Sequence, residues 1–205
     1  MSDVPRSMEA TDARAAARVA ARRRTIPNGI WAMAIFIASE ATLFGTLIAT
    51  YFYLRTRSAT WPPPGIEAPS VALPLALTAG LLVTTAPMVM AAVAAGRERR
   101  GAAWALIAVA TLIQCGYLAW QITSYVSDLD KFSPSATAYG SIYFTLIGAD
   151  HAHVFVGILF NLWVLARLIG GLTNYRLVTV RAVAFYWVFV NILTVLVTLT
   201  QVSPS

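Results

Sequence analysis

Apolar residues do not alternate with polar ones along this chain; they come in long uninterrupted runs, and the charged residues collect between the runs. Each run reaches or exceeds the roughly 20 residues that a helix needs to cross a hydrocarbon core about 30 Å thick. Five helical spans are predicted: about Gly29–Leu54, Val71–Ala95, Ala102–Tyr125, Tyr139–Ile169 and Arg181–Gln201. The segregated charge excludes surface amphipathic helices as the main architecture and disfavours a β-barrel. The expected fold is an all-α integral membrane domain over residues 29–201, an up-and-down bundle with no repeat and no second domain. Residues 1–28 form a basic tail and residues 202–205 a short carboxyl end.

Composition agrees with this pattern. Of 205 residues 58% are hydrophobic and only 12% charged, and the mean hydropathy is +0.67. The net charge of +6 suggests a nucleic-acid partner until its distribution is read. The amino tail, the 96–101 connection and the 167–181 region hold 6, 3 and 3 basic residues, against 2, 1 and 0 in the alternate connections and the carboxyl end. That asymmetry is the positive-inside signature, which places the amino terminus in the cytoplasm and the carboxyl terminus outside. No nucleic acid is expected. The tail, with Arg22-Arg23-Arg24 beside the membrane, suits anionic headgroups or a neighbouring subunit. The first apolar run is too long for a cleavable signal and is expected to remain as a span.

Smaller features refine the picture. Trp61-Pro62-Pro63-Pro64-Gly65 predicts a stiff, extended first connection, and Pro87 predicts a kink in the second span. The single cysteine, Cys115, has no disulfide partner and is read as a packing residue. Trp31, Tyr51, Trp61, Trp104, Tyr125 and Tyr139 fall near span ends, where an interfacial belt belongs.

The candidate chemistry lies deep in the spans. Glu40 stands roughly 16 Å along the first helix at about 1.5 Å per residue, where an unpartnered carboxylate costs about 2.5 kcal/mol or more. Asp150 sits at a similar depth in the fourth span, beside the only two histidines of the chain, His151 and His153. Asp150 and His153 are spaced i,i+3 and share a face, while His151 and His153 are roughly 200° apart, which disfavours a two-histidine metal site. No metal site is expected. Glu40, Asp150 and His153 are therefore the intramembrane polar candidates, with Ser39, His151 and Asn191 as supporting contacts. They read either as interhelical hydrogen bonds of about 0.6 to 2 kcal/mol each or as a protonatable patch. Arg55, Arg97, Arg181 and Trp61 are candidates for lipid headgroups.

The run Trp31-x4-Phe36-Ile37-x-Ser39-Glu40-x3-Phe44-Gly45, followed by Ala49-x-Tyr51-Phe52, resembles the first helix of the five-helix core of haem–copper oxidase subunit III. Later features agree in order: Trp61-Pro62-Pro63, Tyr139-Gly140-Ser141, His153-Val154-x-x-Gly157 and Tyr186-Trp187-x-Phe189-Val190. Together they cover nearly everything from Gly29 to Gln201. The chain departs from the family pattern at Asp150, where a histidine is usual, at Val188 and Asn191, where histidine and aspartate are usual, and at Thr194, a tryptophan position. The resemblance implies a noncatalytic subunit of a respiratory oxidase in a bacterial cytoplasmic membrane. Such a subunit packs on catalytic subunit I with subunit II, has no haem or copper of its own, binds phospholipid and sustains proton uptake. The haem and copper belong to the partner catalytic subunit, and the donor, cytochrome c or quinol, is set by other chains. Longer members carry two further spans across a lipid-filled cleft, so lipid or another small membrane subunit is expected to complete that wall here. Two other readings stay open: an accessory protein of a nitric oxide reductase, which shares the five-span plan, and an independent proton-coupled transporter.

Overall fold

The computed structural model describes residues 26–67 and 70–203; the basic tail is largely outside that range. Among the described residues there are six helices and no strand: α1 Asn28–Arg57, α2 Ala72–Val83, α3 Thr85–Gly96, α4 Arg100–Lys131, α5 Ala138–Ile169 and α6 Asn174–Gln201. The second and third are halves of one span, so five helical rods are long and apolar enough to cross a membrane. The chain is thus a multi-pass, all-helical membrane protein.

The break in the second span lies at Thr84, one turn before Pro87. Proline has no N–H to give the carbonyl of Val83, four residues earlier, so the ladder opens there. Thr84 tightens the turn before it: its amide and its Oγ1 both donate to Leu81 O, at 2.9 and 2.7 Å. Two predicted boundaries move. The third span runs on to Lys131, which pairs with Asp128 in its last turn at 2.9 Å. The fifth begins at Asn174 rather than Arg181, because Thr173 Oγ1 caps it by accepting from Arg176 N. Hydropathy marks where a helix can enter lipid; the cap marks where the helix starts.

Successive spans alternate in direction, which gives the bundle two ends. The turn face carries the amino end of α1 and the connections 97–99 and 170–173. The loop face carries the 58–71 and 132–137 connections and the carboxyl end. Sequential spans are not always neighbours, however. α1 touches neither α2 nor α3 and packs only on α5 and α6, whereas α6 lies at the centre against α1, α2, α3 and α5. The long first connection makes that placement possible. α1 buries only Phe44 and Tyr51, and Thr42, Thr46 and Thr50 return their hydroxyls to carbonyls four residues back, which leaves methyl groups on its outer face.

The tightest packing is between α5 and α6. Trp187 and Tyr186 are fully enclosed, and Trp187 lies so near the backbone of Gly157 that a Cβ there would stand 2.6 Å from its Cζ2. At the loop face Trp61 is wedged edge-on between Tyr51 and Tyr139, at 5.3 and 4.9 Å between centroids. With 8% exposure it is a core residue of that cap. Trp61, a headgroup candidate in the sequence, is thus packed against two tyrosines at this end of the bundle.

Candidate functional site

The sequence brings four ionisable residues to mid-membrane, and the structure sorts them into two separate sites. Glu40 reaches from α1 to α5, where its Oε2 lies 3.1 Å from His153 Nε2. The other ring nitrogen of His153, Nδ1, faces Ala149 O at 2.8 Å. A carbonyl can only accept, so Nδ1 carries a proton. A single proton is then shared between Nε2 and Oε2, as an imidazolium facing a carboxylate or a neutral ring accepting from a carboxylic acid. Phe44 closes one side of the ring edge-on at 5.0 Å, and Tyr186 Oη donates to the backbone carbonyl of His153 at 2.9 Å. The pair is held by three helices, yet its side chains keep 14% and 19% of their surface. It sits at the edge of the α1 seam. Ser39 is on the exposed face of α1 and takes no part.

Asp150 does not join this pair. It is 2% exposed, and its Oδ1 accepts from Thr194 Oγ1 on α6 at 2.8 Å. The i,i+3 offset from His153 is about 60° around the helix, enough to send one side chain toward α1 and the other toward the bundle interior. Two departures from the family pattern, Asp150 and Thr194, are thus each other's partners. His151 points away from both, edge-on to Tyr125 at 5.8 Å. Asn191 donates to Thr85 Oγ1 at 2.6 Å, across the break in the second span.

A second polar set, uncharged, was passed over by the sequence reading. Asn161 Nδ2 donates to Gln114 Oε1 at 2.8 Å and to Thr111 Oγ1 at 3.0 Å; its Oδ1 accepts from Trp187 Nε1 at 2.9 Å, and Gln114 Nε2 donates to Thr84 Oγ1 at 3.2 Å. Every one of these side chains is buried. The network ties α4, α5, α6 and the broken span together where lipid offers no partner. The amides at Gln114 and Asn161 were its only signal, and an amide does not stand out as a carboxylate does.

Of the remaining headgroup candidates, Arg97 and Arg181 are exposed at the turn face, and Arg55 at the loop face donates to Ser203 Oγ at 2.7 Å. No three of His, Cys, Asp and Glu converge among the described residues.

The family model described as cytochrome c oxidase subunit III matches residues 13–202. Relatives named cytochrome bo(3) ubiquinol oxidase subunit 3, from Pseudomonas aeruginosa, and quinol oxidase subunit 3, from Bacillus subtilis, are 27% and 29% identical to this chain. Each match spans 80% of the chain and 79% of the relative. Cytochrome c oxidase subunit 3 of Arabidopsis thaliana is 31% identical across 77% of the chain, which spans only 62% of that relative's length. With a match over nearly its whole length, the spans and the Glu40–His153 seam included, the chain belongs to the cytochrome c oxidase subunit III family.

Proposed function

We propose that the chain is the noncatalytic subunit III of a bacterial respiratory haem–copper oxidase, lodged in the cytoplasmic membrane against catalytic subunit I and beside subunit II. Haem and copper reside in the partner catalytic subunit. Here the two histidines face different ways on α5, and His153 is committed to Glu40 and Ala149. The turn face is cytoplasmic, by the distribution of Lys and Arg. Phospholipid covers the open side of α1, with Arg97 and Arg181 at the headgroup level. The observation that carries the reading is the Glu40–His153 pair, a one-proton couple at mid-depth on the exposed edge of the bundle. It supports sustained proton delivery during oxygen reduction and holds α1 to the bundle.

Purified complex carrying Glu40→Ala is expected to keep its haem and copper spectra and its initial rate, then lose oxygen consumption within many turnovers several-fold sooner than the parent. Glu40→Gln, which keeps a hydrogen bond to His153 but cannot exchange a proton, separates the two roles. Early inactivation of the glutamine variant assigns the effect to the proton; normal endurance assigns it to the bond. Loss of a haem or copper signal with the catalytic subunit folded, or co-purification with a nitric oxide reductase, would overturn the proposal. Topology is checked separately: in sealed right-side-out vesicles an impermeant thiol reagent is expected to modify Ser58→Cys and to spare Arg99→Cys until the vesicles are opened.

A further inference from the structure

Among α2, α4, α5, α6 and the 58–71 loop lies a cavity of about 900 Å³. It runs from the ends of α4 and α6 at the loop face down to Asp150 and His151 in the middle of α5. At its mouth Asp128 is held by Lys131 at 2.9 Å and by Tyr143 Oη at 2.8 Å, and Glu67 lies in the loop above. Its wall carries Gln121 and Ser124 from α4. Leu73, Leu77, Ile147 and Val197 line it as well, but a cavity stays dry when its lining is apolar throughout, and this one is mixed.

One buried atom points to what fills it. His151 is 8% exposed, lines the floor of the cavity, and its Nε2 has no hydrogen-bond partner. An unmet buried polar atom costs about 1–3 kcal/mol, and this one, beside the buried carboxylate of Asp150 in the same cavity, marks a position that water satisfies. Since one water occupies about 30 Å³ in the liquid, the cavity has room for many.

We propose that this cavity is an aqueous vestibule open at the loop face, and that Asp150 at its floor is a proton-exchange group in contact with water on that side only. Hydronium in the vestibule gives its proton to the Asp150 carboxylate and leaves as water; the reverse step returns it. Lys131, Asp128 and Glu67 are the charged groups facing the path. Beyond Asp150 toward the turn face the buried amides of Asn161 and Gln114 are spent on one another, on Thr111 and on Thr84, and Ile107, Val164 and Leu168 pack closely around them, so the vestibule is blind. It is separate from the Glu40–His153 couple, which opens sideways at the α1 seam, and it does not depend on which face is cytoplasmic.

The assembled complex in sealed vesicles tests this with single cysteines in a Cys115→Ala background. The variants are Ser124→Cys on the wall, His151→Cys at the floor, Leu112→Cys on the exposed side of α4, and Ser58→Cys and Arg99→Cys as markers of the two faces. A membrane-impermeant trimethylammonium methanethiosulfonate is expected to modify Ser124→Cys and His151→Cys from the side that modifies Ser58→Cys, at least tenfold faster than from the Arg99→Cys side. Leu112→Cys stays unmodified. In the parent complex the infrared carboxyl band lost in Asp150→Asn is expected to shift on transfer to D2O without denaturation. Wall and floor cysteines as unreactive as Leu112→Cys would overturn the proposal. So would modification only by a lipid-soluble maleimide, which means a lipid pocket, or equal rates from both sides, which means a through-path. Should His151→Cys fail to assemble, Ser124→Cys and the infrared exchange decide the matter alone.

Discussion

Replacing Gly157 with alanine is expected to be among the most damaging single changes in the bundle, at about 3 kcal/mol, the upper end for an overpacked core. The added methyl would lie 2.6 and 2.9 Å from Trp187 Cζ2 and Cε2 and 3.0 Å from Tyr186 Cε1. Trp187 cannot swing aside without breaking its bond to Asn161, and Tyr186 is tied to the backbone of His153. α5 and α6 must separate instead. Small residues allow membrane helices to approach closely, and here one glycine does so beneath the largest side chain of the core. Denaturation of the purified complex, followed by retention of this subunit, is expected to show a lowered midpoint. Gly116→Ala, with nothing within 4 Å of the new methyl, is the matched control and is expected to change little. Equal behaviour of the two variants would mean that the α5–α6 contact is looser than described.

Asn161→Leu is expected to cost about 2–4 kcal/mol. It deprives Gln114 Oε1 and Trp187 Nε1 of their partners, and each orphan carries a penalty of about 1–3 kcal/mol where water is absent. Individual bonds between membrane helices average nearer 0.6 kcal/mol, but this residue makes three of them at the junction of α4, α5 and α6. The double variant Asn161→Leu/Gln114→Leu removes an acceptor along with the donor that satisfied it, so its loss is expected to be smaller than the sum of the single losses. Additive losses in the denaturation midpoint would mean that the two amides do not act together.

The spans were legible because hydropathy and length decide which segments cross a bilayer, and the interruption at Thr84 was foreshadowed by Pro87. The similar depth of Glu40 and Asp150 could be read by counting residues, but not that His153, rather than Asp150, meets Glu40. What could not be read was which spans α1 lies beside. The long first connection permits α1 to pack away from α2, and no pattern within α1 says that its neighbours are α5 and α6. The partner of Asp150 was hidden for another reason. Many threonines of this chain, Thr42, Thr46 and Thr111 among them, spend their hydroxyls on their own helix; Thr194 reaches across to another, and only the helix packing tells the two uses apart.

The placement of α1 also has a consequence for how the protein is made. Among the described helices α1 packs only on α5 and α6, the two farthest from it along the chain, and Glu40 precedes the histidine that receives it by 113 residues. Through the synthesis of the middle spans α1 stands in the bilayer as a solitary rod, anchored by its flanking arginines and by lipid, with its carboxyl group unmet by any part of its own chain. The seam closes only when the last span has entered. Insertion of α1 must therefore be stable by itself long before it can be stabilised by the fold.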